Sequence, residues 1–327
     1  MLKITRRQSI KAIGAALAVP AMPFVARAQA WPSKQIRVVI PFTAGSTIDI
    51  VGRIVFDPLS QQLGQSIIAE NRGGAGGTIG TAAVARADPD GYTWLAASSA
   101  HTAAPAIYPN IAFDASRDFI PVAALGSSPN IVVVAPDKGY KTLQELVAAA
   151  KDKKGAITFG TAGVGSSTHF TTERFRFSAG FEGTHIPFRG MPEVLTEVMT
   201  GRVEFCFSTM AAALPFIRDN KLLALAVSTP KRSSYLPDIP TTTELGYANS
   251  DYTFWNGLLV PAKTPKEIVE RIHQEVQKAS GTAGVKEKLA AQGIDPMPIS
   301  SAEYDALIKK EIAENIALVK AAGIKTN

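Results

Sequence analysis

Two short stretches of this sequence have the composition to hold an anion through the backbone. The first is Pro41-Phe42-Thr43-Ala44-Gly45-Ser46-Thr47-Ile48-Asp49, and the second is Gly160-Thr161-Ala162-Gly163-Val164-Gly165-Ser166-Ser167-Thr168-His169. Each leaves an apolar run and enters a segment of helical spacing. Glycine lets a backbone approach a ligand closely. A helix N-terminus presents N–H groups without intrahelical partners and a partial positive charge, which suits a carboxylate. Ser, Thr and Gly before a helix also serve as plain caps. One such loop in each half of the chain, able to face the other across a cleft, favours binding over capping alone. Thr43, Ala44, Gly45 and Ser46 on one side, with Gly163, Gly165, Ser166 and Ser167 on the other, are the candidate grip.

Other residues could complete such a site. Ser98 and Ser99 follow the apolar run Tyr92–Ala97 and offer hydroxyl donors. Pro187–Gly190 and Ser208–Thr209 could line the distal part of a pocket, with Arg189 reaching a second carboxylate or standing as a solvated surface charge. Asp49 could orient loop amides or cap its own neighbourhood. His169 opens a helix and reads first as a hydrogen bonder there, second as a ligand contact. Phe42 and Trp255 could stack on an aromatic acid or belong to the core.

Signatures of catalysis are absent. There is no G-x-S-x-G, H-E-x-x-H or G-x-x-x-x-G-K-[ST] pattern. The four histidines, His101, His169, His185 and His273, never stand three or four residues apart, so no local metal pair is expected. The single cysteine, Cys206, forms neither an intrachain disulfide nor a multi-cysteine zinc site. Gly74-Ala75-Gly76 begins a dinucleotide-binding pattern, but Ile79 occupies the third glycine position and Gly80 comes one residue late. That stretch reads as a tight loop opening a helix. No cofactor and no metal are expected, and the site is read as one of binding.

The elements that must position these loops alternate. Short apolar runs at 36–41, 66–70, 92–97, 131–135, 157–160, 184–187, 203–207, 222–227 and 257–260 predict strands separated by amphipathic helices, the α/β pattern. Ile48, Val51, Val55, Leu59 and Leu63 fall at helical spacing, with Pro58 expected to kink or split that helix. Thr142 with Glu145, Thr264 with Glu267 and Ser300 with Glu303 fit capping boxes, and Pro265 fits the first helical position. A last helix should bury Tyr304, Leu307, Ile312 and Val319. Small and polar residues near 126–130 and 248–251 suggest two crossovers. Residues 31–128 plus 255–327 would then form one lobe and 129–254 the other, hinged to close on a ligand.

The chain has 327 residues, 46% hydrophobic and 19% charged, enough for two lobes. Its net charge of +6 comes largely from residues 1–30, where Lys3, Arg6, Arg7, Lys11 and Arg27 meet no acid. Without those five, 29 of the 34 basic residues face 28 acidic ones, a balance that gives no hint of a nucleic-acid partner. Residues 1–30 read as an export signal: a basic start, an apolar run from Ala12 to Val19, and the A-x-A site Ala28-Gln29-Ala30. Thr5-Arg6-Arg7-Gln8-Ser9-Ile10-Lys11 resembles a twin-arginine signal. No cysteine stands at the cleavage site and no run reaches membrane-spanning length, so a periplasmic product without a membrane anchor is expected.

Motifs spread over residues 31–327 resemble the Bug family, the periplasmic solute-binding proteins of tripartite tricarboxylate transporters. They include Trp31-Pro32-Ser33-Lys34, Glu70-Asn71-Arg72, Asp90-Gly91-Tyr92-Thr93, Gly163-Val164-Gly165-Ser166 with His169, Pro187-Phe188-Arg189-Gly190, Pro237-Asp238-Ile239-Pro240-Thr241 and Trp255-Asn256-Gly257. The resemblance implies a two-lobed flytrap, the type II periplasmic-binding-protein fold, with a cleft between the lobes. It implies that amides of loops 43–46 and 163–167 grip one carboxylate, partly through water. It also implies a small organic carboxylate as ligand and the transporter's membrane subunits as partners; the chain is expected to be a monomer. The chain departs from the family where a paired glycine would follow Pro41-Phe42 and Gly45-Ser46 stands, and where Ser208-Thr209 replaces a common aspartate. Two rival roles are a periplasmic sensor component and an exported enzyme on the same scaffold.

Overall fold

The computed structural model describes residues 31–108, 110–152 and 155–322. The expected export signal lies outside the described residues. All nine expected strands form: β1 (Ile36–Ile40), β2 (Ile67–Asn71), β3 (Thr93–Ser98), β4 (Phe119–Val134), β5 (Thr158–Thr161), β6 (Thr184–Pro187), β7 (Phe205–Thr209), β8 (Leu223–Val227) and β9 (Thr253–Pro261). They join in the order β2-β1-β3-β9-β4-β7-β5-β6, with β8 also on β4. β2, β1 and β3 run parallel, as do β6, β5 and β7, while β4 and β9 run antiparallel to their neighbours.

β4 joins the two halves of the fold. It extends 16 residues, far beyond the expected run at 131–135. Its first part, Phe119 to Pro129, pairs with β9, and its remainder, from Asn130, pairs with β7 and β8. The small residues at 126–130 therefore lie inside a continuous strand, because β9 supplies them with backbone partners.

Strand alternation sends side chains to separate cores. In the first half, Ile36, Val38 and Ile40 pack with Val51, Val55 and Leu59 of α1 (Thr47–Leu63) and Ile272 and Val276 of α8 (Lys266–Gly281). Leu95, Trp255 and Leu259 turn the other way, toward Tyr304 and Ile308 of α10 (Ser301–Ala322). In the second half, Val132, Phe159 and Phe207 pack against α4 (Leu143–Asp152) and α5 (Ser167–Ala179). Ile131, Val133 and Cys206 face α6 (Met191–Met199) and α7 (Met210–Arg218). α2 (Thr78–Ala85), α3 (Ala100–Ile107) and α9 (Ala283–Ala291) complete the layers.

Local signals mostly act as their chemistry dictates. Thr142 and Glu145 exchange side-chain to backbone hydrogen bonds, as do Ser300 and Glu303. Thr264 does not cap with Glu267; its hydroxyl donates to the Pro261 carbonyl, and Pro265 takes the N-cap position instead of the first helical one. Pro58 does not split α1, where buried Val55, Phe56 and Leu59 hold the turn in place. Among the described residues, no helix is long and apolar enough to cross a membrane.

Candidate functional site

Ser46 precedes α1 and Ser166 precedes α5, both in extended conformation. These two helix starts meet at one narrow cavity of about 30 Å³, lined by Ser46, Thr47 and Ile48 from one half and Ser166, Ser167 and Thr168 from the other. Phe42, Ser98, Ala162, Gly190, Met191, Thr209 and Phe254 close it. Among the described residues, no Lys, Arg, His, Asp or Glu lines it.

Hydrogen-bond accounting shows which amides are committed. The Gly45 N–H donates to Asp49 Oδ2 at 3.0 Å, and Ser46 N–H to the Thr43 carbonyl at 3.1 Å. Gly163 N–H reaches Thr161 Oγ1, Gly165 N–H reaches His169 Nδ1, and Ser166 N–H reaches the Gly163 carbonyl. Among the described residues, the amides of Thr47 and Ile48 and those of Ser167 and Thr168 have no partner. They are the first two amides of their helices, where the macrodipole places its positive end. The cavity thus collects four unpaired donors and the ends of two dipoles in an uncharged apolar setting, an environment for an anion.

The hydroxyls divide the labour. Ser166 Oγ accepts from His169 N–H at 3.2 Å and caps its helix. Ser46 Oγ is buried and has no partner among the described residues. Thr47 Oγ1 and Thr209 Oγ1 share a hydrogen bond of 2.5 Å across the cleft. Tyr108 Oη donates to the Val164 carbonyl at 2.7 Å, also between the halves.

The expected site residues fall into three groups. Ser46, Ser98, Ser166, Ser167 and Thr209 line the cavity. Thr43, Ala44, Gly45, Gly163 and Gly165 shape the two loops without lining it. Asp49 belongs with these: its buried carboxylate accepts from Gly45 N–H, Arg53 Nε and Asn71 Nδ2, so it holds the loop and has no oxygen left to turn inward. The third group points elsewhere. Ser99 is fully buried and is not among the residues lining the cavity. Ser208 alternates away from Thr209 and donates to a backbone carbonyl. Pro187 and Arg189 are exposed outside the cavity. His169 stacks on His185 rather than facing the cavity.

The remaining histidines do not line the cavity either. His101 bonds the Ala115 carbonyl and His273 the Val122 carbonyl. Burial pushes His101 down to about 4 and His169 to about 3, the latter helped by His185 and Arg176. Of the aromatic candidates, Phe42 lines the cavity, but Trp255 donates Nε1 to Glu311 in the opposite core. Its neighbour Phe254 lines the cavity instead, a residue the sequence reading missed. Thr47, Ile48 and Thr168 were inside the quoted loops but passed over, although their place just after each N-cap marks them.

A family model described as tripartite tricarboxylate transporter family receptor matches residues 51–324. A UPF0065 protein of Agrobacterium vitis is 33% identical over 320 residues, covering 98% of this chain and 92% of that protein. Protein BugT of Bordetella pertussis is 31% identical over 315 residues, covering 96% and 97%. Among solved structures, an R. palustris protein with adipate superposes with a TM-score of 0.87 at 30% identity, covering 91% of this chain and all (100%) of that one. A Rhodopseudomonas palustris MatC with bound malate gives 0.85 at 29% identity, covering 88% and 100%.

Proposed function

The chain belongs to the tripartite tricarboxylate transporter receptor family, and from that premise we propose that it captures a small organic carboxylate outside the cytoplasmic membrane and delivers it to the membrane subunits of such a transporter. The observation that carries this reading is the pair of helix N-termini meeting at one uncharged cavity with four unpaired amides. Two structural neighbours hold adipate and malate, both dicarboxylates, which supports the same ligand class here.

The lobes are residues 31–128 plus 255–327 and residues 129–254, turning about β4 and β9. The ligand's carboxylate sits between the starts of α1 and α5, with Ser46, Ser98, Ser167 and Thr209 adding hydroxyls. Asp49 and the loop glycines hold the frame. Residues 1–30 direct export to the periplasm and are removed. The role is binding without turnover, a reading the receptor description of the matched family supports.

Calorimetric titration of the exported chain tests this. The panel is C4 to C6 dicarboxylates, hydroxylated di- and tricarboxylates, acidic amino acids and aromatic acids, with sugars and amides as neutral controls. Micromolar or tighter binding of an acid, with the acid recovered unchanged, is the expected result. Silence among the acids and binding of a neutral control would sink the carboxylate reading.

A further inference from the structure

The second loop is held from behind by a column of rings. The imidazoles of His169 and His185 stack at 4.4 Å with an interplanar angle of 15°, and Phe159 continues the stack on the far side of His185 at 5.1 Å. The Arg176 guanidinium lies 5.4 Å from the Phe159 ring centre. His169 Nδ1 accepts the Gly165 N–H at 3.3 Å. His185 Nε2 shares a 2.6 Å hydrogen bond with Thr161 Oγ1, the same hydroxyl that accepts from Gly163 N–H. The two rings therefore grasp the loop at Thr161 and at Gly165, on either side of its turn.

These contacts have a direct consequence for the cavity. Gly165 has a φ of +77°, a conformation open to glycine but resisted by any side chain, and the His169 hydrogen bond selects it from the several that glycine could take. With its amide tied to His169, the chain enters Ser166 in extended form and α5 begins one residue later. That geometry leaves the amides of Ser167 and Thr168 free at the cavity wall. The neutral ring is the form that can accept from Gly165, so its proton sits on Nε2, facing Glu173 Oε1 at 3.9 Å. Burial and Arg176 keep both imidazoles neutral above strongly acidic pH.

We propose that His169 and His185 are positioning residues that preset the second loop for its ligand, His169 by holding the Gly165 amide and His185 by holding the Thr161 hydroxyl. This rests on the carboxylate reading given above. Such pre-organisation raises affinity by removing the ordering that the ligand would otherwise impose.

The test compares His169→Phe, which keeps a ring for the stack but has no acceptor, with His169→Asn, whose side-chain oxygen can stand close to the position of Nδ1. Amide hydrogen exchange of Gly165, followed by NMR without ligand, should be slow in the unmodified chain, fast in His169→Phe, and slowed again in His169→Asn. With whichever acid of the panel binds the unmodified chain most tightly, affinity should fall about tenfold in His169→Phe, the scale of one lost hydrogen bond, and recover to within about threefold in His169→Asn. His185→Phe should likewise weaken affinity while keeping the stack. Equal Gly165 exchange in all forms, or equal affinity in His169→Phe and the unmodified chain, overturns the proposal. Absence of any acid binding by the unmodified chain strikes the carboxylate reading instead, and the exchange measurement still decides the role of His169 in the loop.

Discussion

Ser46 and Ser166 occupy equivalent places before their helices, yet their hydroxyls do different things. Ser166 Oγ caps α5 through His169 N–H, whereas Ser46 Oγ is buried at the cavity without a partner among the described residues. Ser166→Ala should therefore cost about 1 kcal/mol of stability through the lost cap. Ser46→Ala should leave thermal stability nearly unchanged and weaken carboxylate binding severalfold; thermal melts and titrations of the two variants check the contrast. Sequence made this scale only partly legible. The residue types in both loops are those an anion site would use, but which side of a strand faces the cavity did not follow from type. Thr209 lines it and Ser208 does not; Phe254 lines it and Trp255 does not. A shift of one residue reverses the face of a strand, and only the pairing of β4, β7 and β9 fixes that register. For Arg189 charge alone leaves two readings, reach toward a second carboxylate or a solvated surface charge, and its exposed position outside the cavity fits the second.

At the scale of elements, each half of the molecule brings a glycine turn against the other. Gly76 has a φ of +62°, and a Cβ there would run into the Val164 carbonyl of the second loop. Gly76→Ala should hinder closure: ligand affinity falls at least tenfold while an open form stays folded, as small-angle scattering with and without ligand would show. The alternating apolar runs located every strand because their residues must be buried on two faces. The length of β4 was hidden because its pairing with β9 joins residues far apart in sequence, and small or proline residues at 126–130 look locally like a break. Capping boxes were legible where Ser or Thr could reach the third residue on, and failed at Thr264, where the Pro261 carbonyl competes for the hydroxyl.

For the whole molecule, buried ionisable groups set the response to pH. His101, His169 and His185 are pushed down to about 4, 3 and 4, so the folded state favours their neutral forms. Their contribution is fully present above the unfolded value near 6.5, and it is lost as pH falls toward 3–4. Unfolding midpoints should drop steadily below about pH 6. Glu311 acts in the opposite sense. Burial raises it to about 7, despite hydrogen bonds from Trp255 and Thr102. The folded state then holds its proton where the unfolded chain releases it, so stability declines as pH rises from about 4.5 to 7. Glu311→Gln should stabilise the protein at pH 8 by as much as about 3 kcal/mol and change little at pH 4, as denaturant titrations at both values would measure.

The central claim is that free backbone amides at two helix starts, not charged side chains, hold the ligand. Ser167→Pro removes one of those amides at the first helical position, where proline is tolerated. Ser166, with φ −70° and ψ 161°, already has the conformation a following proline requires. Titration of this variant beside Ser167→Ala separates the amide from the hydroxyl. The account predicts that Ser167→Pro keeps its thermal midpoint and loses at least about tenfold in carboxylate affinity relative to Ser167→Ala. Equal affinity in the two variants would contradict it.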